Sequence, residues 1–176
     1  MQVNKTLILT GWSKPEYLAA AAAALTALDG GADVAGVSME ALAATLAERG
    51  SNYETVYVLG VGLSRNVGPI VEALGRLKAK GVKTVWVSCL NAPPAFISEV
   101  SLGGAGASSR GFDEMVESPD STLLDATADC LHLGADQLKR FRAYAEAAAD
   151  SGPTVAALAT AAAGMTGFSP PRRRTP

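Results

Sequence analysis

The chain has 176 residues, of which 48% are hydrophobic, and it carries a formal net charge of −2. This length is typical of one domain with a substantial core, and the two distant cysteines, Cys89 and Cys130, exclude a disulfide framework and a cysteine-based zinc site. Three of the 15 basic residues are arginines at 172–174, so the rest of the chain is more acidic than the total, and nonspecific nucleic-acid binding is not expected.

The first half of the chain alternates between short apolar runs and longer helical patterns. Strands are predicted at residues 6–10, 32–37, 56–59 and 82–87, and helices at 15–28, 39–49 and 67–80. The strands are mostly apolar and do not alternate between apolar and polar residues, which is typical of strands that are covered on both faces. The alternation predicts an α/β fold with a doubly wound, Rossmann-like and mainly parallel sheet, with helices on both faces.

Local signals mark the ends of these helices. Ser13 and Glu16 have the spacing of a capping box at the start of the first helix, and the glycines at 30–31 are expected to end it. Ser38 is expected to cap the second helix, and Gly50 to end it.

The second half has a different pattern. Its predicted elements are a short helix at 95–100, a Gly/Ser-rich loop at 102–111, helices at 119–133 and 135–150 with a break at Gly134, and a last helix at 155–163. We therefore expect one α/β domain over residues 1–168, followed at 169–176 by a linker or disordered tail leading to a further domain. No signal-peptide pattern or apolar run of membrane-spanning length occurs, so no membrane partner and a cytoplasmic location are expected.

Candidate ligand-binding residues follow the first, third and fourth strands, because ligands of open parallel sheets bind beyond the carboxyl ends of the strands. These loops combine small residues with hydrogen-bond donors: Gly11, Trp12, Ser13, Lys14, Gly60, Gly62, Ser64, Arg65, Asn66, Ser88, Cys89 and Asn91. Together with helix N-termini they favour an anion such as a phosphate. The alternative is structural: Ser13 as a cap, Gly60 and Gly62 as turn residues, and Lys14 and Arg65 as solvated surface.

The sequence motifs of several common activities are absent. Neither a P-loop nor a G-x-S-x-G elbow occurs, and Arg65 stands where the third glycine of a dinucleotide fingerprint belongs. The single histidine, His132, falls inside a predicted helix, where a core or surface role is more common than catalysis. Cys89 is either a nucleophile or, more commonly, a buried thiol. Trp12 either stacks on a ligand ring or covers the first helix.

The order of elements over residues 5–150 resembles the N-terminal domain of the DHH phosphoesterases, the family of RecJ-type exonucleases and exopolyphosphatases. The resemblance rests on residues 7–14, which lead into an Ala-rich helix, on the 57–63 run and on the 85–90 run. In that family these strand ends carry metal-binding Asp and His residues. Here Gly60 replaces the Asp, and residues 88–90 replace the Asp-His-His signature. The resemblance therefore implies this fold without the family's metal and without its catalysis.

These observations predict a noncatalytic sensing or regulatory domain that binds a small phosphorylated or nucleotide-like ligand. No catalytic residue, metal or cofactor is expected, since no carboxylate is predicted at the three strand ends. Two alternatives stay open: a DHH-like phosphoesterase that recruits its metal in another way, and a protein-interaction domain whose Ala-rich helices pack against a second copy.

Overall fold

The computed structural model describes residues 5–11, 14–29, 31–62, 67–88, 114–117 and 121–150. The strands are β1 (Thr6–Thr10), β2 (Ala32–Gly36), β3 (Thr55–Leu59), β4 (Lys83–Ser88) and β5 (Glu114–Glu117). The helices are α1 (Pro15–Ala27), α2 (Leu42–Arg49), α3 (Gly68–Ala79), α4 (Leu123–Cys130) and α5 (Ala135–Asp150).

All five strands form one sheet in the order β2-β1-β3-β4-β5, and every neighbouring pair is parallel. The chain moves outward from β1 to β2, then crosses back over β1 to β3 and continues in the other direction. The predicted doubly wound α/β fold is therefore confirmed. The sequence interpretation missed β5, because its four residues, EMVE, contain no continuous apolar run.

Each face of the sheet has its own hydrophobic core. Leu7 and Leu9 of β1 pack with α2 and α3, whereas Ile8 between them packs with α1 and α4 on the opposite face. Successive side chains of a strand point to opposite faces, so a strand that is covered on both faces is apolar at every position. This is the physical origin of the continuous apolar runs.

The Ala-rich composition of α1 has a packing explanation. Ala20, Ala21 and Ala24 lie against the sheet, while Ala19 and Ala23 contact the cluster that α4 and α5 contribute on the other side. A helix that is buried on both sides is apolar all round. Alanine combines the highest helix propensity with a small side chain, so both neighbours approach the helix closely.

One predicted boundary of the first two helices is wrong, and both helix ends agree with the prediction to within one residue. The second helix begins at Leu42 rather than at 39, because a turn over 39–41 precedes it. Gly50 ends this helix as predicted; its φ is −55°, so it is not left-handed, and a 3-10 turn continues to Asn52. The chain leaves α1 through Asp29, whose φ is +52°, one residue before the predicted glycines.

The helix predicted at 119–133 is also shorter than expected, and α4 covers only Leu123–Cys130. The predictions for 95–100, 102–111, 155–163 and 169–176 lie outside the described residues. In the part of the chain that is described, no helix combines the length and the apolar character needed to cross a membrane.

Candidate functional site

The strand order reverses between β1 and β3, which are hydrogen-bonded neighbours whose following connections run to opposite sides of the sheet. Such a reversal leaves a crevice beyond the carboxyl ends of the two strands, and ligands of open α/β sheets bind there. We call the space beyond Gly11 and Gly60 the switch-point crevice. The register pairs Thr10 with Leu59, so these two glycines begin the two loops side by side.

Both glycines are required by their surroundings. A Cβ atom on Gly11 would lie 2.9 Å from the Tyr17 ring, and one on Gly60 would overlap the Leu123 side chain. Gly60 also has a φ of +62°, in the left-handed region that side chains disfavour. Tyr17 of α1 and Leu123 of α4 therefore fill the space beside the two glycines, and for Gly60 this agrees with the structural alternative of a turn residue.

Polar contacts hold α1 over the end of β1. The buried Thr10 hydroxyl donates a hydrogen bond to the Tyr17 carbonyl oxygen at 3.2 Å. Lys14 precedes the helix in an extended conformation, with Pro15 in the first turn, and no side chain caps this terminus in the described part of the chain. The Lys14 ammonium is exposed and lies 5.7 Å from the centre of the Tyr17 ring. A cation and the positive end of a helix dipole thus adjoin the crevice.

The predicted capping box is wrong in its second member. The Glu16 carboxylate accepts a hydrogen bond from the backbone N–H of Leu123 at 2.5 Å, so it caps α4 instead of α1. The Thr122 hydroxyl accepts a second bond from the N–H of Asp125 at 3.1 Å. Two protein side chains therefore satisfy the N-terminus of α4. Ser13, the first member of the box, lies outside the described residues.

The turn after β2 reaches the same edge of the sheet. The N–H of Val37 donates to the Thr10 carbonyl at 2.9 Å, which places the turn over 38–41 beside the end of β1. Ser38 does not cap α2 directly; its hydroxyl accepts from Ala41 at 3.3 Å within this turn. A hydrogen bond from the backbone N–H of Glu40, followed by one from Ser38, lowers the pKa of the Glu40 carboxyl. Glu40 therefore stays a carboxylate in neutral solution.

Met39 connects this turn to the loop after β3. Its sulfur atom lies 3.5 Å from the place that a Cβ atom on Gly62 would occupy, an ordinary van der Waals distance. Met39 is 37% exposed and is the one large hydrophobic side chain that is exposed among the described residues. The sequence interpretation missed Met39 and Glu40, because it placed 39 in a helix and considered only the first, third and fourth strand ends.

The end of β4 also belongs to this edge. The N–H of Gly60 donates to the carbonyl oxygen of Val87 at 2.9 Å, so Ser88, the last residue of β4, follows directly. Of the predicted ligand-binding residues, the structure thus brings Gly11, Lys14, Gly60, Gly62 and the backbone of Ser88 to one edge. The others lie outside the described residues: Trp12, Ser13, Ser64, Arg65, Asn66, Cys89 and Asn91.

His132 is not in a helix interior as predicted. It follows the end of α4 with a φ of +54°, and its side chain is exposed. The N–H of Leu133 donates to the Ala128 carbonyl at 2.8 Å, which makes His132 the left-handed residue of a Schellman cap. Within the described residues, no group of three or more His, Cys, Asp or Glu side chains is arranged to hold a metal ion.

The fold and this edge define a class of protein: a doubly wound α/β domain with strand order 2-1-3-4-5 and with Gly11 and Gly60 at its switch point. Comparisons with protein-family models, with curated proteins and with solved structures found no match. The class therefore rests on the strand order and on the geometry of the site.

Proposed function

We propose that this domain is a noncatalytic sensing domain that binds a small phosphorylated ligand in the switch-point crevice. The observation that carries the proposal is the position of the exposed Lys14 ammonium at the N-terminus of α1, beside the strand reversal. The N–H groups of a helix N-terminus and a lysine are groups that commonly bind phosphate.

The N-terminus of α1 is the better anion partner of the two helix starts near the crevice. The N-terminus of α4 already binds the Glu16 carboxylate, whereas no side-chain cap of α1 occurs in the described residues. A phosphate oxygen near Lys14 would therefore meet a helix start that no described side chain caps, since the Glu16 carboxylate in its first turn is bonded to α4.

The noncatalytic part of the proposal is supported at Gly60. The resemblance to the DHH phosphoesterases aligns this glycine with a metal-binding aspartate. With α4 in its present place, a Cβ atom at 60 would overlap Leu123, and the φ of +62° disfavours any side chain. The domain therefore accommodates no aspartate there without moving α4. The DHH relationship itself stays a prediction.

Calorimetric titration of the full chain tests this function. The probes are inorganic phosphate, tripolyphosphate, ribose 5-phosphate, AMP and ATP. Binding of at least one probe is expected, and Lys14→Gln should weaken it about tenfold, since a charged hydrogen bond contributes about 1.5 kcal/mol. The matched control is Lys80→Gln, an exposed lysine after α3 at the opposite edge of the sheet. The proposal would be overturned if no probe bound, or if both variants lost the same fraction of their affinity.

The same samples separate binding from catalysis. Each probe is incubated with the protein, with and without Mn²⁺, and followed by phosphorus NMR. Unchanged probes are expected. Release of phosphate that a chelator abolishes would establish a phosphoesterase and overturn the noncatalytic assignment.

A further inference from the structure

The strand β2 forms an open edge of the sheet. It stands first in the strand order, and β1 is its partner on the inner side. The N–H of Val37 donates to the Thr10 carbonyl, and alternate residues direct their backbone groups to the same side, so Asp33 and Ala35 also bond to β1. The residues between them direct N–H and C=O groups away from the sheet: Ala32, Val34 and Gly36. Within the described residues, these outward groups have no hydrogen-bond partner.

This edge lacks the features that usually prevent pairing with another chain. Natural edge strands are protected by lysines, prolines or bulges. The sequence of β2 is ADVAG, and its pairing with β1 runs without a bulge from Ala32 to Gly36. Its one charged side chain, Asp33, accepts a hydrogen bond from the Tyr53 hydroxyl of the same chain at 2.7 Å. By contrast, β5 at the other edge begins and ends with a glutamate. The β2 edge is therefore the one suited to pairing.

The outward groups of β2 complement those of a second β2 that runs antiparallel. A two-fold axis at Val34 places this residue opposite its own copy and places Ala32 opposite Gly36 of the second copy. Each of these pairs exchanges two backbone hydrogen bonds, so every outward donor and acceptor is satisfied. An axis at Asp33 or Ala35 is excluded, because their backbone groups already bond to β1.

The side chains are compatible with the same axis. Val34 and Leu28 are half-buried and pack against the core on the α1 side, so the two copies of Val34 meet across the axis as an apolar pair. Asp33 points to the other face and comes to lie opposite Ala35 of the second copy. Like charges therefore do not stand directly opposite each other, an arrangement that would destabilise the pair.

From this self-complementary edge we propose that the protein forms a symmetric dimer in which β2 pairs antiparallel with β2 of a second copy, so that the two sheets become one. The buried alanines of α1, such as Ala19 and Ala23, contact α4 and α5 of the same chain and are covered already. The dimer is independent of the proposed ligand, because the crevice lies between β1 and β3 and not at the β2 edge.

Sedimentation equilibrium of the full chain over a wide range of concentration measures this association. A dimer that dissociates on dilution is expected, since one strand pair buries a small area. Val34→Pro removes an outward N–H that β1 does not use, and it should weaken dimerisation about tenfold or more. Val34→Ala keeps this N–H and, as the matched control, should be weakened less. A monomer at every concentration, or equal weakening of the two variants, would overturn the proposal.

Charge exchange at residue 34 tests the position of the axis. Val34→Lys and Val34→Glu should each be monomeric, because the axis places like charges directly opposite each other, and an equal mixture of the two should form a heterodimer. Ala143→Lys, at an exposed position of α5, is the control for added charge and should dimerise as the wild type. Dimers of the single variants, or a mixture that stays monomeric, would exclude this interface. Melting temperatures establish that each variant is folded.

Discussion

Glu16 and Leu123 are 107 positions apart in the chain, yet the carboxylate of Glu16 accepts a hydrogen bond from the backbone N–H of Leu123 at 2.5 Å. The same Leu123 side chain covers Gly60 at the end of β3. One contact thus caps α4, ties it to α1 and seats it on the strand end. Without it, the start of α4 would present unsatisfied N–H groups in a partly buried position.

Replacing Glu16 should therefore destabilise the whole domain. We expect Glu16→Ala to lower the free energy of unfolding by about 1–3 kcal/mol, because a partly buried donor loses a charged acceptor. Glu16→Gln keeps an acceptor and should lose less. The measurement is urea unfolding followed by circular dichroism.

The control for Glu16 is Glu72→Ala on α3. Glu72 makes an exposed pair with Arg76 one helical turn away, with both side chains about two-thirds exposed. Such pairs contribute about 0.3–0.5 kcal/mol. An equal effect of the two alanine variants would contradict the capping role of Glu16.

Asp125 should make stability depend on pH. Burial is the largest single influence and raises the pKa of its carboxyl, but hydrogen bonds from Arg142 and Thr122 together outweigh it, and the net pKa is lowered. The folded state therefore releases this proton more readily than the unfolded state. The resulting stabilisation is present above the unfolded pKa of about 3.9 and is lost as the pH falls through the lower, folded pKa.

Unfolding in urea between pH 7 and pH 2.5 measures this effect. Wild type should lose more stability below about pH 4 than Asp125→Asn, whose side chain does not titrate. Parallel curves for the two proteins would show that the contact between Arg142 and Asp125, with its 2.6 Å distance, has no influence on the pH dependence.

Replacement of glycine by alanine should have opposite effects on stability at two positions. Gly75 is exposed inside α3, and no atom lies within 4 Å of the place of its Cβ, so Gly75→Ala should stabilise the protein by about 1 kcal/mol. Gly60→Ala should destabilise it by about 2–4 kcal/mol, since it adds left-handed strain and overlap with Leu123. Thermal and urea unfolding report both. A tolerated alanine at 60 would mean that α4 is not seated on this loop.

Replacing His132 by glycine should stabilise the protein. It is exposed and has a φ of +54° in the Schellman cap after α4, where glycine has no steric penalty. We expect His132→Gly to raise the free energy of unfolding by about 0.5–1 kcal/mol, and His132→Ala to leave it nearly unchanged. If alanine stabilised the protein as much as glycine, the backbone conformation would not be the cause.

The strands and their burial follow from the sequence because they depend on local periodicity. Residues 7–9 are apolar at every position, which already indicates coverage on both faces, and the parallel sheet confirms it. The glycines after β1 and β3 likewise indicated loops that leave a site open. Their positions follow from the strand ends, and strand ends follow from the apolar pattern.

Tertiary structure alone decided which groups meet. The sequence paired Glu16 with its neighbour Ser13, since a capping box is a local signal, whereas its observed partner depends on where α4 packs. Met39 looked like part of a helix because a single apolar residue before a helix fits the helical period. Its position near Gly62 arises from the return of the chain over β1, which puts the turn after β2 beside the loop after β3. Local pattern thus determined the elements and the edge of the sheet at which the site is proposed, and the strand order determined the side chains that share this edge.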